Sequence, residues 1–183
     1  TLTFYERFVS LLDSELKNKK IKEHAAYLFW DSSYEYFPDK EFFFNKLKQM
    51  ISNPEFLKPM EDNYLKSIQL NKGTISPIFE LYDIEDKLVS LKDFRGKIVY
   101  IDIWATWCTP CVREIPFLEK LQSEYKDRNI VFVSICIMED KEKWKAEVRK
   151  RNLQGIQLSI PSLDSKFLTD YLVKGIPRFI LID

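Results

Sequence analysis

Ile98-Val99-Tyr100-Ile101-Asp102-Ile103-Trp104-Ala105-Thr106-Trp107-Cys108-Thr109-Pro110-Cys111 is the stretch on which the reading of this chain turns. Ile98 to Ile103 is almost continuously apolar, which suits a short central strand buried on both faces of a sheet. Helical periodicity takes over from Cys108 to about Tyr125. Cys108 and Cys111 are three positions apart, so they fall in the first turn of that helix and on one side of it. Such a spacing can close a small disulfide. The unpaired N–H groups and the dipole of a helix start stabilise a thiolate, and cysteine pKa values fall to roughly 3.5–7.5 at such sites. Cys108 is therefore expected to be the more exposed, attacking thiol, and Cys111 the resolving thiol.

Outward from this centre, Ile130 to Ile137 reads as a second buried strand and Asp140 to Arg151 as a helix. Gly155 to Ile160, Asp164 to Tyr171 and Arg178 to Ile182 read as strand, helix and strand. Upstream, Ile78–Tyr82 and Lys87–Leu91 are short β-rich runs that come after the turn signal Asn71-Lys72-Gly73. The alternation is that of an α/β domain with a central sheet. Residues 1–72 differ in character. Apolar residues recur at helical spacing from Thr3 to Leu16, a second helix covers roughly Glu23 to Trp30, and Pro38-Asp39 starts a third that runs to about Ile51. Pro54 and Pro59 are expected to break up the segment after it, leaving a short helix near Asp62 to Leu70. Two regions result: a helical appendage over 1–72 and an α/β domain over 73–183.

Composition narrows the function classes. Lys plus Arg and Asp plus Glu are 28 each, so no basic field attracts a phosphate backbone, and a nucleic-acid partner is not expected. No apolar run reaches the roughly 18 residues of a membrane-spanning helix. Thr1 stands where an initiator Met would, so membrane association is expected only through a removed anchor. Three cysteines are too few for a disulfide scaffold, and the close pair points to redox or metal chemistry.

Asp102 to Cys111 resembles the thioredoxin active-site segment. The wider context resembles the TlpA/ResA-like branch of thiol–disulfide oxidoreductases, through Ser76-Pro77-Ile78-Phe79-Glu80-Leu81, Leu88-Val89-Ser90-Leu91, Arg95-Gly96-Lys97, Glu114-Ile115-Pro116 and Gly175-Ile176-Pro177. The resemblance covers roughly residues 73–183. It implies a thioredoxin-like fold, a mixed β-sheet flanked by helices, with the N-terminal helices as an addition. Because the sequence ends at Asp183, it also implies a domain lacking the family's last strand and helix. Pro177 matches the family's cis-proline, which lets the backbone of Ile176 pair with an extended substrate. Asp102 matches a buried carboxylate that exchanges a proton with Cys111. Glu114 matches the acidic residue three positions after the second cysteine. Trp107 is expected to shield the disulfide and shape the substrate surface, and Thr109-Pro110 to tune the potential. No cofactor is implied beyond a redox-active Cys108–Cys111 disulfide. The implied partners are protein disulfide substrates and an upstream dithiol donor, in an extracytoplasmic, periplasmic setting.

Rival functions start from the same residues. A disulfide oxidant or isomerase shares the chemistry and differs only in potential. A Cu(I) carrier would use the paired thiolates, but no His or Met lies beside them to complete the site. A peroxiredoxin needs Pro and Thr or Ser where Ile101 and Ala105 stand. A Cys–His hydrolase would have to recruit His24, the only histidine, from the appendage, and a redox-silent interaction module would leave the intact Cys108 and Cys111 without purpose. Cys136, inside an apolar strand, reads as a buried inert thiol.

Overall fold

A computed structural model describes residues 3–183, which separate into two compact units, one up to Ile75 and one over Ser76–Asp183. The first unit is helical, with α1 (Phe4–Glu15), α2 (Lys19–Ser33), α3 (Lys40–Lys48) and α4 (Pro54–Gln69). Each begins on a residue whose side chain accepts from the first turn: Thr3, Asn18, Asp39 and Asn53. Its interior is aromatic. Trp30 stacks on Tyr34, and Phe44 lies face to face with Tyr64, their ring centres 4.0 Å apart. His24 stacks on Phe56 in the same unit.

α4 corrects the sequence reading, because it is one helix of 16 residues rather than a short one beginning near Asp62. Pro54 occupies the helix start, where its missing N–H has no intrahelical acceptor to lose. Pro59 lies inside and removes one ladder bond, a loss that full burial of the neighbouring Met60 helps to offset.

The second unit carries β1 (Glu80–Asp83), β2 (Leu88–Ser90), β3 (Ile98–Trp104), α5 (Thr109–Glu124), β4 (Ile130–Ile137), α6 (Lys141–Arg151), β5 (Ile156–Ile160), α7 (Lys166–Asp170) and β6 (Arg178–Ile182). The strands form one mixed sheet in the order β2-β1-β5-β4-β3-β6. β3, β4 and β5 are parallel, while β1 and β6 run antiparallel to β5 and β3. The apolar central runs are buried over most of their length: Ile101, Ile103, Ile135 and Leu158 have no exposed surface, while Ile98, which opens β3, is exposed. Each such side chain contributes roughly 1.5–3 kcal/mol of transfer free energy. β2 and β6 are the sheet edges among the described residues, and Phe179 and Leu181 on β6 are exposed.

Register brings the chemistry together. Asp102 lies beside Ser134 on one flank and Phe179 on the other, and Trp104 lies beside Cys136. Because side chains alternate along a strand, Tyr100, Asp102 and Trp104 share one face, opposite the apolar set Val99, Ile101 and Ile103. The carboxyl end of β3 then leads directly into the start of α5.

Gly155 shows how closely β5 enters the sheet. Its φ is +77°, and a Cβ there would sit 2.8 Å from the Phe132 carbonyl oxygen and 3.1 Å from Gln122 Nε2. Gly155→Ala combines a left-handed backbone penalty of roughly 1–2 kcal/mol with a clash against the backbone. Urea unfolding should show a loss of about 2 kcal/mol or more at unchanged m-value; a loss under about 0.5 kcal/mol would mean that the β4–β5 contact yields freely.

Candidate active site

Cys108 is the N-cap of α5, where its Sγ accepts the backbone N–H of Cys111 at 3.2 Å. The two sulfurs are joined in a disulfide, with the Cα atoms 5.3 Å apart. Pro110 falls in the first turn, where no N–H is needed. The helix continues through Pro116 to Glu124. The sulfur at the N-cap thus sits where a negative charge would be best received.

The exposure of Cys108 corrects the sequence reading. Cys108 and Cys111 are both buried, at 5% and 3% exposure, so the first cysteine is not markedly more accessible in this state. In the disulfide-bonded state the Cys108 sulfur lies over the first turn of α5, within reach of the Cys111 amide. There it joins a cluster with Trp104, Ala105, Cys111, Cys136 and Trp144. The surface around it is formed by other residues: Trp107 is 54% exposed, and Thr109 and Pro110 are exposed beside it. The Ile176–Pro177 peptide bond is cis, and Ile176 packs against the cluster that holds both cysteines.

Asp102 is 7% exposed, and its carboxyl is pushed up to about 7. Burial is the largest cause and the negative charge of half-buried Glu114 the second, while a hydrogen bond from Ser134 opposes both. Tyr100 is raised as well, by burial first and then by Asp102 and Glu114. Two carboxylates and a phenol therefore share one patch of the β3–α5 interface. Cys136 is 1% exposed and its thiol is pushed up to about 12, chiefly by burial, so it is not a nucleophile near neutral pH.

A contact on the other side of the motif lies beyond sequence reasoning. The Thr106 hydroxyl donates to the carboxylate of Glu139, which also accepts from Lys143 Nζ at 3.0 Å and from the Asp140 amide at 3.2 Å. Asp140 is legible as the N-cap of α6, but no spacing rule links Glu139 to a residue 33 positions earlier. Among the described residues no group of three or more His, Cys, Asp and Glu could hold a metal ion, and no helix is long and apolar enough to cross a membrane.

Known proteins agree with this geometry. The Redoxin family model matches residues 71–183, which leaves all four helices of the first unit outside it. Thiol-disulfide oxidoreductase ResA of Bacillus thuringiensis subsp. konkukian is 30% identical over 120 residues, spanning 66% of this chain and 68% of that protein. Thioredoxin-like protein YneN of Bacillus subtilis is 36% identical over 121 residues, 64% of this chain and 69% of its own. Among solved structures, the thioredoxin domain of a thiol-disulfide oxidoreductase from Bacteroides vulgatus superimposes with a TM-score of 0.57 at 30% identity, covering 62% of this chain and 82% of that one. A thiol:disulfide interchange protein from Bacteroides sp. gives 0.57 at 30% identity over 63% and 76%. With a disulfide-bonded Cys-Thr-Pro-Cys at a helix start, a buried aspartate on the strand that leads into it and a cis-proline loop against it, the chain belongs to the Redoxin family as a TlpA/ResA-like thiol–disulfide oxidoreductase of thioredoxin fold.

Proposed function

We propose that this oxidoreductase works as a reductant of protein disulfides, with Cys108 as nucleophile and Cys111 as resolving thiol. The Cys108 thiolate attacks one sulfur of a substrate disulfide, forming a mixed disulfide and releasing the other substrate sulfur as a thiolate. The Cys111 thiol then loses its proton to Asp102, and its thiolate attacks Cys108 Sγ. The internal disulfide forms, the second substrate thiol leaves, and two electrons have passed to the substrate. An external dithiol donor returns the pair to the reduced state, and the redox centre is the cysteine pair itself. Trp107, Thr109 and Pro110 present the rim, and the Ile176–Pro177 loop offers backbone to an extended substrate segment. Resemblance to ResA supports an extracytoplasmic setting. The observation that carries the reading is the N-cap position of Cys108, with the Cys111 amide 3.2 Å from its sulfur.

An insulin-reduction assay driven by dithiothreitol, repeated with added Cu(I), tests it. Catalysed precipitation that depends on Cys108 is expected. Absence of catalysis together with tight, stoichiometric Cu(I) binding would move the chain to metal carriage.

The carboxylates have a separate signature. Asp102 must be ionised to accept the Cys111 proton, so the resolving step should rise with pH through a midpoint near 7. Asp102→Asn should remove that inflection and slow the step by up to about 10²-fold at pH 8, in line with lost proton transfer. Glu114→Gln withdraws a like charge and should move the midpoint downward. Profiles that superimpose on the parent in both variants would remove the two carboxylates from the mechanism.

A further inference from the structure

We propose that Glu139 and Thr106 form a clasp that positions the redox centre, holding the turn before Cys108 against the end of β4 so that the Cys108 sulfur meets the start of α5. The turn itself is tight, because the Cys108 amide donates to the Ala105 carbonyl at 3.1 Å and so closes Ala105 to Cys108 on itself. Thr106 anchors that turn through its side chain, whose hydroxyl donates to Glu139, and the register of β3 on β4 places Cys136 beside Trp104, two positions before Thr106.

Glu139 is itself held. Its side chain is 8% exposed and pairs with Lys143 on α6 at 3.0 Å, while the Asp140 amide donates to the same oxygen at 3.2 Å. A hydrogen bond to a charged partner is shorter and stronger than a neutral one. A buried carboxylate with three donors is a fixed point, and the active-site turn is tied to it. Catalytic geometry tolerates displacements of only about 0.5 Å, and the 3.2 Å contact between the Cys111 amide and Cys108 Sγ would be lengthened by a slackened turn. Glu139 is therefore a positioning residue that acts through Thr106, distinct from Asp102 and Glu114.

The charged groups facing the cysteine cluster include Asp102 from β3, Glu114 from α5, Glu139 after β4 and Lys143 from α6; on the side of Ile176, Lys174 and Arg178 flank the loop before β6, with Arg178 in register beside Ile103. Removing Glu139 alone would mix lost positioning with lost charge, so the informative variant is Thr106→Val, which keeps shape and charge and deletes the donor. The clasp presupposes thiol–disulfide chemistry at Cys108 but not reduction of protein substrates, so its readout is Cys108 itself.

In the reduced protein, Thr106→Val should slow alkylation of Cys108 at pH 7 about tenfold, equivalent to one unit in the thiol's titration. The dithiol–disulfide equilibrium against glutathione should move toward the disulfide by a similar factor. Thr106→Ser should restore both. In a Glu139→Ala background, or Glu139→Met if alanine does not fold, Thr106→Val should change neither. A Thr106→Val protein that folds and labels at the parental rate would overturn the clasp. So would an equal slowing with and without Glu139, because the hydroxyl would then act on some other group.

Discussion

Cys111→Ser is expected to stop turnover and to accumulate covalent adducts. In the proposed mechanism, attack by Cys108 on a substrate disulfide leaves a mixed disulfide, which is resolved when Cys111 attacks the Cys108 sulfur. Serine fits the same space, but its hydroxyl is not ionised near neutral pH and cannot form a disulfide. The intermediate therefore persists. Expressed in its own compartment, the variant should run as high-mass species on non-reducing gels that collapse with reductant, and mass spectrometry of the adducts would name the substrates. A Cys108→Ser/Cys111→Ser double variant should show none. If the folded single variant, with a reactive Cys108, forms no reducible adducts with protein, then protein disulfides are not its substrates.

Asp102→Asn is expected to alter stability by an amount that depends steeply on pH. The carboxyl has an ordinary value of 3.8 and stands at about 7 in the folded, oxidised protein. Between those values the folded state holds a proton that the unfolded state has released, so this group makes stability fall as pH rises. Below pH 4 both states are protonated and nothing is lost; above pH 7 the full cost of a buried charge is present. The difference between the two values corresponds to on the order of 4 kcal/mol. Asparagine does not ionise. Urea unfolding of the oxidised proteins should therefore show the variant gaining on the parent by about that amount between pH 4 and pH 8. Parallel stability–pH curves would mean that Asp102 is ionised and solvated in the folded state.

Much of the fold and of the redox centre is legible from residues alone, for identifiable reasons. Ile130–Ile137 and Arg178–Ile182 begin and end where their apolar runs do, because burial and pattern coincide in sheet strands. The Cys108–Cys111 centre and the cis bond before Pro177 are readable through motif resemblance, since neither needs a distant partner to be recognised. The full length of α4 is hidden because prolines at a helix start and in its interior look alike in sequence and differ only in what each N–H would have bonded. The burial of Cys108 is hidden as well, because position in a helix turn says nothing of what closes over it. The Thr106–Glu139 contact joins two loops, and only the pairing of β3 with β4 brings them together. Ser134 is legible only through the same pairing: nothing in its own neighbourhood announces that it faces Asp102.

Pro116 has a mechanical consequence. It has no N–H, so the Val112 carbonyl lacks its ladder partner in the second turn of α5. The segment from Thr109 to Ile115 is consequently joined to the rest of the helix by one bond fewer than the remainder is to itself. In the proposed mechanism a substrate is tethered through Cys108, and the segment ahead of Pro116 is then the part of α5 expected to yield before the later turns. Amide exchange should divide there, with Cys111 and Val112 opening more readily than Leu121 and Gln122.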